Sequence, residues 1–244
     1  MSRTSLATWL SSRISCSSTL VTEPDSIYST CQLEMGCSPN ALQRGGGGGV
    51  TVTCGDINAE RPEYVFVNME MPLPFEDSSF DVVICLEGVE HVVEPYSLIK
   101  EICRVLRPDG IVVLSLPNVQ SLYSRLKFLF TGTFYQFEPE GQLHPLGRLI
   151  DRGHISPLSL VQLEYIFGEF GLAPQIVTGD RIKRKILFPL YLVLWASNVL
   201  LLRFRAIRCT QEDNKRLYGF LTHLRPMLSR SLVTVWGNAK NGVS

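Results

Sequence analysis

From residue 50 onward, short apolar, β-branched runs alternate with segments of helical period, the pattern expected of βαβ units in a parallel sheet. VTVTCGDI (50–57) and YVFVNM (64–69) predict two strands, the second followed by a proline-broken loop, PLPFEDSS. SFDVVICLEG (79–88) predicts a third, and its near-continuous apolar run suits a central strand covered on both faces. Pro95 then opens a stretch in which Leu98, Ile99, Ile102, Val105 and Leu106 recur at helical spacing. This predicts a crossover helix that stops at RPDG, with Pro108 and Gly110 as its terminators. IVVLSLPN (111–118) is the next strand.

Beyond it, SLYSRLKFLF predicts a helix, followed by a Gly- and Pro-rich insertion from Thr131 to about Pro157. SPLSLVQLEYIFGEFGL carries a Ser/Pro start signal and closes at Gly171, a second helix. APQIVTGDRI predicts a strand, and SLVTVWGNAK (231–240) a last one at the sheet edge. Six strands thus follow residue 50, and the loops at their carboxyl ends would line any ligand crevice.

Composition narrows the picture. At 244 residues, 45% of them hydrophobic, the chain suits one main α/β domain with appendages. Lys plus Arg and Asp plus Glu both number 23, so no global field favours nucleic acid as a partner. The seven cysteines contain no CxxC pair and several sit in apolar runs, which fits buried, reduced thiols in a cytoplasmic protein better than disulfides or zinc. The segment before Glu23 is Ser-rich and carries Arg3 and Arg13 without an acid. It reads either as a targeting-like composition or as a leading helix with Leu6, Trp9, Leu10 and Ile14 on one face.

PLPFEDSSFDVVICLEGVEHVVEPYSLIKEICRVLRPDGIVVLSLPN resembles the class I S-adenosylmethionine-dependent methyltransferases, in particular the type 11-like group with an LPF…FDVV…EHV…RVL.P.G pattern. Phe75, Asp81, Glu90, His91, Arg104, Leu106, Pro108, Gly110, Pro117 and Asn118 carry the likeness, which extends over about residues 31–180. The resemblance implies a Rossmann-like, doubly wound α/β fold with a seven-stranded, mostly parallel sheet. It therefore places one further strand upstream of residue 50. An extension (1–30), helical or disordered, would precede the methyltransferase core (31–180), with an apolar helix (181–210) and a closing helix and strand (211–244) after it.

That missing strand locates the cofactor loop in QLEMGCSPNALQRGGGGG. Glu34, Gly36, Cys37 and Pro39 match the acidic, glycine-rich motif of the family, and Asp56 follows at the expected distance. Ser38 and Asn40 stand where glycines are usual. Asparagine tolerates the left-handed region, but Ser38 would cost ~1 to 3 kcal/mol in strain or lost contacts. The glycines at 45–49 weaken the following helix by about 1 kcal/mol each relative to alanine.

The resemblance implies that S-adenosylmethionine is held by Glu34, Gly36, Cys37, Asp56, Asn68 and Glu87. Asp56 would accept the ribose hydroxyls, Asn68 would face the adenine amino group, and Glu87 would line the methyl-transfer cleft. Each has a plainer reading: a solvated turn aspartate for Asp56 and a capping or surface carboxylate for Glu87. Two base candidates remain, His91 in GVEHV and His154 in RGHIS, each of which also reads as a loop-anchoring histidine. The chemistry needs no metal, and no metal ligand set is assigned.

The apolar segment 186–202, between RIKRK and RFRAIR, spans only ~25 Å as a helix and is interrupted by Pro189 and Asn198. It reads as a peripheral membrane-interface helix, or as a buried helix closing the acceptor pocket or a dimer face. Two functions follow. One is methyl transfer to a small or lipid-linked acceptor, most simply at oxygen. The other is a cofactor-impaired scaffold, motivated by Ser38, Asn40, Asn68 and the glycine run.

Overall fold

The computed structural model describes residues 29–34, 51–56, 64–138, 153–180, 188–208 and 212–239. Among the described residues, seven strands form one sheet: β1 (Ser29–Glu34), β2 (Thr51–Asp56), β3 (Tyr64–Phe66), β4 (Phe80–Leu86), β5 (Leu106–Pro117), β6 (Leu172–Gly179) and β7 (Ser231–Asn238). Their spatial order is β3-β2-β1-β4-β5-β7-β6. The first five pair in parallel, whereas β7 runs antiparallel to both β5 and β6. The order reverses between β1 and β4, so a crevice opens at the carboxyl ends of those two strands. β1 supplies the strand expected upstream of residue 50, and its last residue is Glu34.

The helices are α1 (Pro95–Val105), α2 (Leu122–Thr131), α3 (Leu160–Glu169), α4 (Phe188–Arg208), α5 (Glu212–Thr222) and α6 (Leu224–Leu228). α1 buries Leu98, Ile99, Ile102 and Val105 against the sheet, the face its periodicity predicts. α3 begins with a reciprocal cap between Ser159 and Gln162, which satisfies two amides left without helical partners. Gly171, at φ 72°, follows it, a conformation that costs glycine little.

Three expectations are corrected. α1 ends at Val105, and RPDG belongs to β5: Leu106 pairs with Phe80, and after an irregularity Ile111 pairs with Val82. Gly110 is needed there because a Cβ would lie 2.8 Å from the Asp81 carbonyl oxygen. β7 is not an edge strand, since it lies between β5 and β6 and is buried along nearly its whole length. Trp236 on β7 is fully buried and stacks on Phe167 of α3, with centroids 4.5 Å apart. Finally, neither Pro189 nor Asn198 interrupts α4, which runs for 21 residues. Pro189 sits in the first turn, where its missing N–H is not needed. Asn198 faces inward, accepting from Arg125 Nη1 at 2.7 Å and donating to the Leu221 carbonyl at 3.3 Å.

Cys54 and Cys85 are buried, and burial pushes the Cys103 thiol up to about 12. Cys103 is therefore protonated and unreactive at neutral pH. The loop after β3 is clamped by Arg104, which donates to Asp77, Glu101 and the Leu73 and Phe75 carbonyls. Its pairing with the Arg104 guanidinium holds the Glu101 carboxyl below the usual range.

Candidate functional site

The candidate site begins where β4 stops. Glu87 takes φ 50°, an uncommon conformation for a residue with a side chain, and donates its backbone N–H to the Ser115 carbonyl at 3.0 Å. Ser115 Oγ in turn donates to Glu87 Oε1 at 2.9 Å, so β5 fixes the carboxylate as well as the turn. The chain then tightens into a 3-10 turn, Val89–His91, closed by a bond from the His91 N–H to the Gly88 carbonyl at 3.1 Å. A Cβ on Gly88 would lie 3.2 Å from Cys85 Sγ and 3.3 Å from Met69 Sδ, so the turn is packed closely onto the strands.

The turn is stitched to the far end of the insertion. The Glu90 carbonyl accepts from the N–H groups of Ile155 at 2.9 Å and Ser156 at 3.0 Å, and Ser156 Oγ donates to the Val92 carbonyl at 2.6 Å. This brings His154 over His91 with ring centroids 4.7 Å apart and planes at 80°. His154 Nδ1 lies 2.8 Å from the Gln136 carbonyl oxygen. A carbonyl only accepts, so Nδ1 carries the hydrogen in that bond. In the neutral ring Nε2 therefore keeps its lone pair. Gln136 sits at φ 70°, and its side-chain oxygen accepts from Arg230 Nε at 3.3 Å. The residue that orients His154 is itself held in an uncommon conformation by its neighbours.

Glu90 is the feature that the sequence reading did not single out as a site residue. Its side chain is fully buried, and neither carboxylate oxygen has a hydrogen-bond partner among the described residues. Burial first, and the nearby Glu87 charge second, push its carboxyl up to about 8. The available signal was an acid between Val89 and His91 in GVEHV, which demands an explanation once the turn is buried.

On the cofactor side, Glu34 ends β1 opposite Leu86 of β4, directly at the switch point. Asp56 ends β2 and is buried, and its carbonyl accepts from Val67 N–H at 2.9 Å. Asn68 follows β3 and uses Oδ1 to accept from Glu70 N–H at 3.0 Å, so part of its amide serves a turn. Gly36, Cys37, Ser38, Asn40 and the glycines at 45–49 lie outside the described residues. What is described fits the expected cofactor: acids terminate β1 and β2, Glu87 directly follows β4, and all three lie on the same carboxyl edge as the His91 turn.

Comparison with known proteins agrees with this arrangement. Residues 33–114 match the family Methyltransf_11, described as a methyltransferase domain. Over 56 residues the chain is 38% identical to a ubiquinone biosynthesis O-methyltransferase of Neisseria meningitidis, covering 23% of this chain and 24% of that protein. Over 105 residues it is 30% identical to the 27-O-demethylrifamycin SV methyltransferase of Amycolatopsis mediterranei, covering 43% and 34%. The matched stretches thus span about a quarter to a third of these relatives' lengths. In fold, the chain is similar to a SAM-dependent methyltransferase from Archaeoglobus fulgidus, with a TM-score of 0.50, 14% identity and 86% of each chain covered. Fold, sheet order and the matched domain together support a class I S-adenosylmethionine-dependent methyltransferase. Within that class, the likeness is to the type 11 group, whose domain residues 33–114 match.

Proposed function

We propose that the protein transfers a methyl group to a hydroxyl oxygen of a small or lipid-linked acceptor. The observation that carries this reading is the packing of His91 against His154 at the carboxyl edge of the sheet, beside the β1/β4 switch point. Two of the relatives bear names that denote O-methylation, which supports oxygen as the acceptor atom.

When bound, S-adenosylmethionine supplies an electrophilic methyl group on a positively charged sulfur. The chain's own residues have three tasks. Asp56, at the end of β2, would accept the ribose hydroxyls, and the Asn68 amide would contact the base with whatever capacity its turn leaves. Glu87, held by Ser115, adds a fixed negative charge near the cleft. His154, with Nδ1–H committed to Gln136, would take the acceptor proton at Nε2, while His91 packs its ring edge. The rest of the work is alignment and exclusion of water, for which a buried turn bonded to Ile155 and Ser156 is suited.

The test is methyl incorporation into hydroxylated aromatic acceptors, with His154→Ala and His91→Ala compared with wild type. Loss of about 10²- to 10⁴-fold in rate, with cofactor affinity retained, supports a proton-transfer role. Full activity in both variants would remove it.

A peripheral membrane contact is a further part of the proposal. α4 packs Tyr191, Leu194 and Trp195 inward, yet also exposes Leu190, Val193, Leu200, Leu201, Phe204 and Ile207. Arg203, Arg205 and Arg208 lie at the same end of the helix. Among the described residues, no helix is long and apolar enough to cross a membrane. An apolar outer stripe with an arginine-rich end suits a helix lying on an anionic bilayer.

A further inference from the structure

We propose that Glu90, His91 and His154 bind one divalent first-row transition metal ion. The site stands on geometry alone; its role, activating the acceptor hydroxyl in place of an imidazole base, rests on the O-methyl-transfer reading above. It goes beyond the sequence reading, which assigned no metal ligand set and needed no metal.

Four observations carry the inference. Each residue offers one donor atom, and the three atoms lie within 4.8 Å of one another. Bonds of about 2.0–2.2 Å to a central ion require donors ~3 to 3.5 Å apart, a closure within reach of small side-chain rotations. The Glu90 carboxylate is fully buried with no hydrogen-bond partner among the described residues. A carboxyl group in that position is costly as an anion and wasteful as an acid, and a cation beside it removes the conflict. The His154 ring is oriented as a ligand: Nδ1 is hydrogen-bonded to the Gln136 carbonyl, which fixes the tautomer and aims Nε2. That outer bond is the usual companion of a metal-bound histidine. Finally, the two chain segments are clamped together by the Ile155 and Ser156 amides on Glu90 and by Ser156 on Val92. The segments that carry the ligands are therefore held together by two backbone bonds and one from the Ser156 hydroxyl.

Two imidazoles and one carboxylate suit Zn²⁺, Fe²⁺, Mn²⁺ or Co²⁺ better than Ca²⁺ or Mg²⁺. Three protein ligands leave coordination positions open, as in catalytic sites. The hydroxyl of an acceptor entering one of them would lose its proton to solvent. Its oxygen then forms the bond to the methyl carbon as the carbon–sulfur bond breaks, with both electrons passing to sulfur. The negative oxygen and the positive sulfur both end neutral, so charge and atoms balance.

The experiment uses the tag-free full chain, stripped with chelator and titrated with CoCl₂ without cofactor or acceptor. The expected result is one Co²⁺ per chain with saturable visible d–d absorption. His91→Ala, His154→Ala and the shape-preserving Glu90→Gln should each weaken binding by about tenfold or more, with circular dichroism confirming that each variant is folded. No saturable absorption in wild type, or wild-type affinity in folded His154→Ala, would overturn the proposal. Methyl transfer is assayed separately on the metal-free and metal-loaded protein. Metal binding without methyl transfer would sink the reading of function and leave the site standing. Methyl transfer by a chain that takes up no Co²⁺ would do the reverse.

Discussion

Glu90 holds its proton in the folded chain up to about pH 8, against 4.5 for an ordinary glutamate. Below 4.5 the folded and unfolded chains are both protonated there, and stability is unaffected. Between 4.5 and about 8 the folded state binds more protons than the unfolded state, so stability falls as pH rises. Glutamine has no such titration. With chelator present, Glu90→Gln should therefore gain melting temperature relative to wild type on going from pH 5 to pH 8. The relative gain should be on the order of a few kcal/mol. A difference between the two proteins that does not change with pH would contradict the assignment of an unpartnered buried acid. Neither histidine needs the other to be recognised as a base candidate in sequence. Their juxtaposition depends on two backbone bonds from the insertion to Glu90, and no local pattern announces these.

At the scale of elements, β6 and the end of α6 meet at a point where only glycine fits. A Cβ on Gly179 would lie 1.9 Å from Ser229 Oγ and 2.2 Å from Ser229 Cβ. Ser229 cannot yield easily, because its hydroxyl donates to the Pro226 carbonyl at 3.1 Å and its carbonyl accepts from Asn118 at 3.2 Å. Gly179→Ala should thus destabilise the fold by ~1 to 3 kcal/mol in denaturant melts. Ser229→Gly in the same chain should restore part of the loss. An unchanged midpoint for the single variant would contradict the packing described.

The outer face of α4 makes its own prediction. Wild type should float with vesicles containing phosphatidylglycerol, and Leu200→Glu with Phe204→Glu should return it to the unbound fraction. Wild-type protein that never floats would remove the membrane proposal. The apolar character of α4 was legible in sequence, but its continuity was not. Asn198 reads as an interruption until Arg125 and the Leu221 carbonyl are seen to take up its amide. The same holds for RPDG, whose Pro and Gly signal a helix stop but sit in a strand irregularity one step later.

Over the whole molecule, the order of strands and helices was readable because apolar runs and helical periods follow burial directly. The place of β7 was not, since a buried antiparallel strand between two others and an edge strand share the same short apolar signature until pairing is known. On the cofactor side, the strand-ending acids Glu34 and Asp56 were legible from register. Glu90 escaped because a charged residue in an apolar turn looks like surface until the turn is packed.

The central claim is that this chain works on S-adenosylmethionine despite Ser38 and Asn40 in its glycine-rich loop. Isothermal titration calorimetry of the full chain with S-adenosylmethionine tests it most directly. The account predicts saturable binding of one cofactor per chain in the micromolar range, weakened by Asp56→Ala. The absence of heat at millimolar cofactor would contradict it and leave the scaffold reading in its place.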